Sequence, residues 1–89
     1  MINNQIILFK FIKTNKNIDW YWISAHQKLS ENFIKKFQDK VNWSVISYYQ
    51  KLSENFIREF QNKVNWAAIS RSQKLSEKFK SEFKHKLND

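Results

Sequence analysis

The stretch "QKLSENFI" occupies residues 27–34, returns unchanged at residues 50–57, and is followed by "QKLSEKF" at residues 73–79. Aligning the three copies gives a period of 23 residues, with units at 18–40, 41–63 and 64–86. Eleven of the 23 positions are identical in all three units. A fixed period of this length is typical of proteins built from stacked repeats, in which each unit packs on its neighbours. In the first unit the invariant positions are Trp20, Ile23, Ser24, Gln27, Lys28, Leu29, Ser30, Glu31, Phe33, Phe37 and Lys40.

Each unit contains two predicted helix starts. Asp19 precedes the invariant Trp, and Ser30 precedes the invariant Glu, with Asn42, Asn65, Ser53 and Ser76 at the equivalent positions. Residues of these types are favoured N-caps. The pattern predicts a helix A over about 20–27 and a helix B over about 31–39, with equivalents one and two periods later. Helices this short are marginal alone in water, so we expect neighbouring units to stabilise them.

The helical periodicity separates a buried face from a variable one. At about 100° per residue, the invariant Trp, Ile, Ser and Gln of helix A share one arc, which we expect to be buried. The tryptophans at 20, 43 and 66 are therefore interpreted as core anchors. In the last helix B, Lys80 replaces the isoleucine of the first two units, as expected for a solvated end.

These patterns predict an all-α fold, a small α-solenoid of three two-helix repeats in a single domain of residues 1–89. Residues 1–17 are predicted to form an N-terminal cap and residues 87–89 a tail. The segment "ILFKFI" (residues 7–12) resembles a degenerate helix B, and a β-strand is the alternative because Ile and Phe also favour strands.

The composition excludes several classes of protein. The chain contains no Gly, Pro or Cys, so it has no glycine-rich phosphate loop, disulfide or thiolate metal site. Its two histidines, His26 and His85, lie far apart, and we expect no metal site and no cofactor. No apolar run approaches the length of a membrane span, so a cytoplasmic protein without a membrane partner is expected.

The motif "W-x-x-I-S-x-x-Q-K-L-S-E-x-F", restarted by "V-N-W", resembles short tandem repeats of giant-virus, phage and some bacterial proteins of unassigned function. The resemblance covers residues 18–88. It implies a helical repeat module of viral or mobile-element type, and in a host cell it would lie in the cytoplasm. The small size also suits an anti-defence protein of the anti-CRISPR kind, whose partner would be a host defence complex. The resemblance implies no reaction and no catalytic residue.

The variable positions of helix A indicate where a partner would bind. They lie opposite the invariant arc and carry large aromatic side chains in units one and two, where drift on a solvated surface would favour small or charged residues. We therefore predict a protein-binding surface there. Packing inside the molecule and self-association are the alternatives. The predicted surface consists of Tyr21, Trp22, His26, Val45, Tyr48, Tyr49 and Arg71.

The net charge of +8 supports a second hypothesis, a nucleic-acid binder. Lysines recur at the 23-residue spacing and would form rows along a stack, and such rows can follow phosphates. A solvated surface, or a compositional bias towards Lys and Asn, is the alternative explanation. The predicted phosphate-binding residues are Lys28, Lys51, Lys74, Lys78, Lys80 and Lys84.

Catalysis is not predicted. The sequence contains no nucleophile and base pair, no paired carboxylates and no metal-binding cluster of a recognisable spacing. The Ser-Glu pair occurs three times, which suits helix caps and does not suit a single active site. The sequence therefore predicts a non-enzymatic binding module.

Overall fold

The computed structural model describes residues 4–15 and 17–87, which form helices joined by short turns and contain no strand. The all-α prediction is confirmed. Residues 1–3 and 16 of the predicted cap, and residues 88–89 of the predicted tail, lie outside the described part. The helices are α1 (Asn4–Thr14), α2 (Trp20–His26), α3 (Glu31–Lys36), α4 (Trp43–Tyr49), α5 (Glu54–Glu59), α6 (Trp66–Ser72), α7 (Glu77–Glu82) and α8 (Lys84–Leu87).

The predicted N-caps begin the helices as expected. Asp19 Oδ1 accepts a hydrogen bond from the Trp22 amide at 2.9 Å, and Ser30 Oγ accepts one from the Phe33 amide at 3.1 Å. The equivalent Asn and Ser residues of the next two units make the same bonds. Each bond satisfies an amide in the first turn that has no partner within its own helix.

The second helix of each unit ends earlier than predicted. In unit one, α3 ends at Lys36 and not at residue 39, because the chain tightens at Phe37. The Phe37 carbonyl accepts from the amides of Lys40, at 2.8 Å, and Val41, at 3.0 Å, and this turn directs Val41 into the core. In unit three the same turn continues as α8, and Leu87 is buried where the earlier units have a valine.

The segment predicted as either a helix or a strand is helical. It forms α1, which begins at Asn4 and ends at Thr14. Leu8 of α1 is buried in the core, and the rings of Phe9 and Phe37 lie 5.8 Å apart. Helix α1 thus packs beside α3, as a preceding helix B would, which agrees with the prediction of a degenerate cap.

The helices form two rows. Helix α4 lies between α2 and α6 and contacts both, which gives a row of A helices. Ion pairs connect the B helices α3, α5 and α7, with Lys35 Nζ 3.2 Å from Glu59 Oε2 and Arg58 Nη2 2.9 Å from Glu82 Oε1. The molecule measures 43 × 27 × 18 Å.

The tryptophans join the two rows, as predicted for core anchors. Trp43 packs on the Phe60 ring at 5.3 Å, and Trp66 packs on the Phe83 ring at 5.1 Å. Trp43 also donates its indole N–H to the Gln38 carbonyl at 2.9 Å. Because Gln38 belongs to the preceding unit, this bond fixes the position of one repeat on the next.

In units two and three, the invariant glutamine joins its unit to the preceding one in a way that the sequence patterns did not predict. Gln50 is buried and binds the backbone of unit one through three hydrogen bonds, to Leu29 N, Ser24 O and Gln27 O. Gln73 makes the equivalent three bonds to unit two. We call this arrangement the glutamine clamp.

The invariant glutamates also bridge the units. Glu31 accepts hydrogen bonds from the amide and hydroxyl of Ser53, at 2.7 and 3.0 Å. Glu54 accepts the same pair from Ser76, at 2.6 and 3.0 Å. The amide of Ser76 lowers the pKa of Glu54 below its ordinary value. The invariant Glu thus has a structural role beyond favouring the first turn of its own helix.

Candidate partner-binding surface

The exposed side of the A-helix row carries most of the predicted partner-binding residues. Tyr21 of α2 and both tyrosines at the end of α4 are exposed, as are His26 and Arg71. Large aromatic side chains that remain in contact with water are a frequent feature of binding surfaces. The structure thus leaves these residues accessible.

Tyr48 and Tyr49 form the clearest feature on this side. Their rings lie 4.9 Å apart in an edge-to-face arrangement, and 51% of Tyr48 and 59% of Tyr49 remain exposed. They line a hollow of about 270 Å³ between the ends of α4 and α6, together with Lys51 and Lys74. We call these four residues the tyrosine patch.

The inclusion of Val45 in the partner-binding surface was wrong. Val45 is only 7% exposed and lies in the interior. Helix α4 is the middle helix of its row and contacts an A helix on either side, α2 and α6. Position 45 therefore serves packing between repeats, and the alternative of internal packing holds for this residue.

Trp22, the equivalent of Val45 in unit one, has a different environment. It lies in the first A helix, remains 48% exposed, and packs against His26 in a tilted arrangement with the ring centroids 5.3 Å apart. It lines a groove between α1 and α2 of about 440 Å³. Tyr48 and Tyr49 therefore belong to the tyrosine patch, whereas Trp22 belongs to this groove, which we call the α1–α2 groove.

The α1–α2 groove also contains residues that the sequence analysis did not select. Ile7, Leu8 and Phe11 of α1 form one wall, and Ile7 and Phe11 are about half exposed. The apolar run in residues 6–12 contains all three residues, but its pattern predicts only a cap on the first repeat and not a binding surface. Asp19, Ile23, Gln27 and Asn17 complete the lining.

The predicted phosphate-binding lysines are exposed but do not form one uniform site. Lys51 and Lys74 line the same hollow beside the tyrosines. Lys80 lies 3.3 Å from a Glu77 carboxylate oxygen, which offsets part of its charge. Lys28 lies one period before Lys51, and Lys78 and Lys84 are exposed near the other end of the chain. The strongest combination of positive charge and aromatic surface is the tyrosine patch.

Residues 4–15 and 17–87 contain no group of three His, Asp or Glu side chains placed to hold a metal ion. In the same part of the chain, no helix is long and apolar enough to cross a membrane. The resolved shifts in pKa concern the contacts between repeats. Hydrogen bonding to Glu82 raises the pKa of Arg58 above its ordinary value, and Ser76 lowers that of Glu54.

No protein-family model, curated protein or solved structure matches the chain. The resemblance of its repeat to those of giant-virus, phage and bacterial proteins therefore stays a prediction.

Proposed function

We propose that the chain is a non-enzymatic helical repeat protein that binds a protein partner through the tyrosine patch. The observation that supports this most directly is the edge-to-face pair of Tyr48 and Tyr49, more than half exposed beside a hollow. Tyrosine gives a large contact area at a low cost in conformational entropy, and it is enriched where proteins bind one another.

The charge around the pair favours an acidic partner. Lys51 and Lys74 border the same hollow, and the whole chain carries a net charge of +8. A partner segment with an apolar side chain for the hollow and carboxylates for the lysines fits this chemistry. Complementary charges would speed association more than they would strengthen the final complex. The resemblance of the repeat makes a host defence complex the first class of partner to test.

The proposal is tested with Tyr48→Ala and Tyr49→Ala in an affinity capture of host proteins, followed by titration of the captured partner. We expect both variants to lose binding and to keep the circular dichroism spectrum and melting temperature of the unchanged chain, because neither side chain is buried. Ile6→Ala is the matched control, since Ile6 is 55% exposed and lines a different hollow, between α1 and α3. Equal binding by all three variants would contradict the proposal.

A nucleic-acid partner is the second candidate, because cationic and aromatic side chains lie together in the tyrosine patch. Such combinations bind single strands by stacking on bases and pairing with phosphates. Fluorescence anisotropy with labelled single-stranded RNA and duplex DNA at several salt concentrations distinguishes the two candidates. A steep loss of affinity with added salt, reduced by Lys51→Ala and Lys74→Ala, would favour nucleic acid. Absence of binding at low salt would leave the protein partner.

A further inference from the structure

The glutamine clamp shows what an A helix of this chain binds on its preceding side. Gln50 Nε2 donates to Ser24 O at 2.8 Å and Gln27 O at 2.7 Å, and its Oε1 accepts from Leu29 N at 3.1 Å. These groups belong to the last turn of the preceding A helix and to the extended residues that follow it. Gln73 binds the corresponding groups of Ser47, Gln50 and Leu52. The clamp thus recognises a helix end followed by an extended segment.

Gln27 has the same position in unit one, but no A helix precedes it in the described chain. Its side chain lines the α1–α2 groove and makes no hydrogen bond to the side chains described, those of residues 6–15 and 17–87, or to the backbone of residues 4–15 and 17–87. Helix α1 takes the place of a preceding helix B, with Phe9 packed near Phe37 and Lys36 Nζ 4.7 Å from the Phe9 ring. The place of the preceding A helix is therefore the groove itself.

The walls of the groove support this assignment. Trp22 is 48% exposed, whereas Val45, its equivalent beside an actual preceding helix, is 7% exposed. Ile7 and Phe11 of α1 add an apolar wall opposite Trp22. Asp19 also lines the groove, and its amide is equivalent to that of Asn42, which donates to the Ser24 hydroxyl at 3.0 Å. The groove thus has an apolar floor and polar groups placed as at the internal interfaces.

We propose that the α1–α2 groove binds a single amphipathic helix of a partner protein, together with the extended residues after its last turn. The apolar face of that helix would pack between Phe11 and Trp22. Carbonyl groups of its last turn would accept from Gln27 Nε2, and an amide beyond its end would donate to Gln27 Oε1. This is helix-in-groove recognition, completed by the same clamp that joins the repeats.

A whole repeat from a second copy of the chain fits the site less well. Each repeat carries a helix B beside its helix A, and α1 already occupies the place that this helix B would need. A single helix needs no space for a helix B, so α1 does not obstruct it. The proposed site is separate from the tyrosine patch and does not rest on it.

The experiment uses a fluorescein-labelled peptide with the sequence of residues 41–53, "VNWSVISYYQKLS", as the probe. In the chain, this segment is the A helix and linker that Gln73 clamps. Anisotropy titration of the full chain is expected to give saturable binding. Gln27→Ala and Trp22→Ala should each weaken it at least about tenfold, because hydrogen bonds and apolar contact are lost. A peptide N-methylated at Leu52, which lacks only the donating amide, should also bind more weakly.

Three controls make the result decisive. Gln38→Ala should leave binding unchanged, because its amide donates only to Lys35 O in its own turn, at 3.0 Å. Tyr48→Ala should also leave it unchanged, which distinguishes the groove from the tyrosine patch. Thermal unfolding of Gln27→Ala should match that of the unchanged chain. The proposal is overturned if the chain shows no saturable binding, if Gln27→Ala or the N-methylated peptide binds equally well, or if only Tyr48→Ala loses binding.

Discussion

The three equivalent glutamines provide a direct test of how the repeats are held together. They occupy the same position of the repeat. Gln50 is buried with three hydrogen bonds to the preceding unit, and Gln73 makes the same bonds while partly exposed, whereas Gln27 makes none of them within the described residues. Replacing each one by Ala therefore removes different interactions with the same chemical change.

The expected cost follows from the bonds and from burial. A hydrogen bond contributes about 0.5–1.5 kcal/mol net, and a buried group left without a partner costs about 1–3 kcal/mol. Gln50→Ala orphans the amide of buried Leu29, so we expect a loss of about 2–4 kcal/mol in the free energy of unfolding. Water can replace part of the bonding of Gln73, which lowers its expected cost to about 1–2 kcal/mol. Gln27→Ala should remain within about 0.5 kcal/mol.

Urea unfolding followed by far-ultraviolet circular dichroism measures these differences. At about 0.05–0.15 kcal/mol per residue, a chain of this size has only about 4–13 kcal/mol of stability, so the effect of Gln50→Ala should be large. Gln50→Met keeps nearly the same side-chain volume and should lose almost as much as Gln50→Ala, since the bonds are what matter. Equal losses for Gln27→Ala and Gln50→Ala, or a neutral Gln50→Met, would refute the reasoning.

Two further predictions concern the other contacts between repeats. Because the folded state lowers the pKa of Glu54, the unfolded chain binds more protons, so this stabilisation is present above the ordinary value of 4.5 and is lost as the pH falls through the lowered one. Glu54→Gln should therefore reduce the dependence of the melting temperature on pH in the acid range, and an unchanged slope would contradict this. Trp43→Phe should cost about 1 kcal/mol more than Trp20→Phe in chemical denaturation, because in the described residues the Trp43 indole donates to Gln38 O of the preceding unit and the Trp20 indole makes no such bond; equal costs would count against that bond.

Several features of this protein were determined by the sequence alone because they depend on local interactions. The 23-residue period sets the number of units, and the N-caps set where the helices begin, since each cap bonds to an amide only three residues later. The tryptophans could be recognised as anchors because they share a helical arc with isoleucine. The helical state of residues 7–12 could not be decided in this way, because an isolated apolar run suits a helix or a strand.

The tertiary structure decided which variable residues lie at the surface and which join the repeats. The clamp bonds of Gln50 join residues 21 to 26 positions apart, and the bonds of Glu31 reach a serine 22 positions away. Val45 and Trp22 occupy equivalent positions, yet one is buried and the other lines a groove, because in the described chain α4 has an A helix before it and α2 has none. Burial at such a position depends on what packs against the helix, and that depends on the stacking of whole units and not on the residue itself.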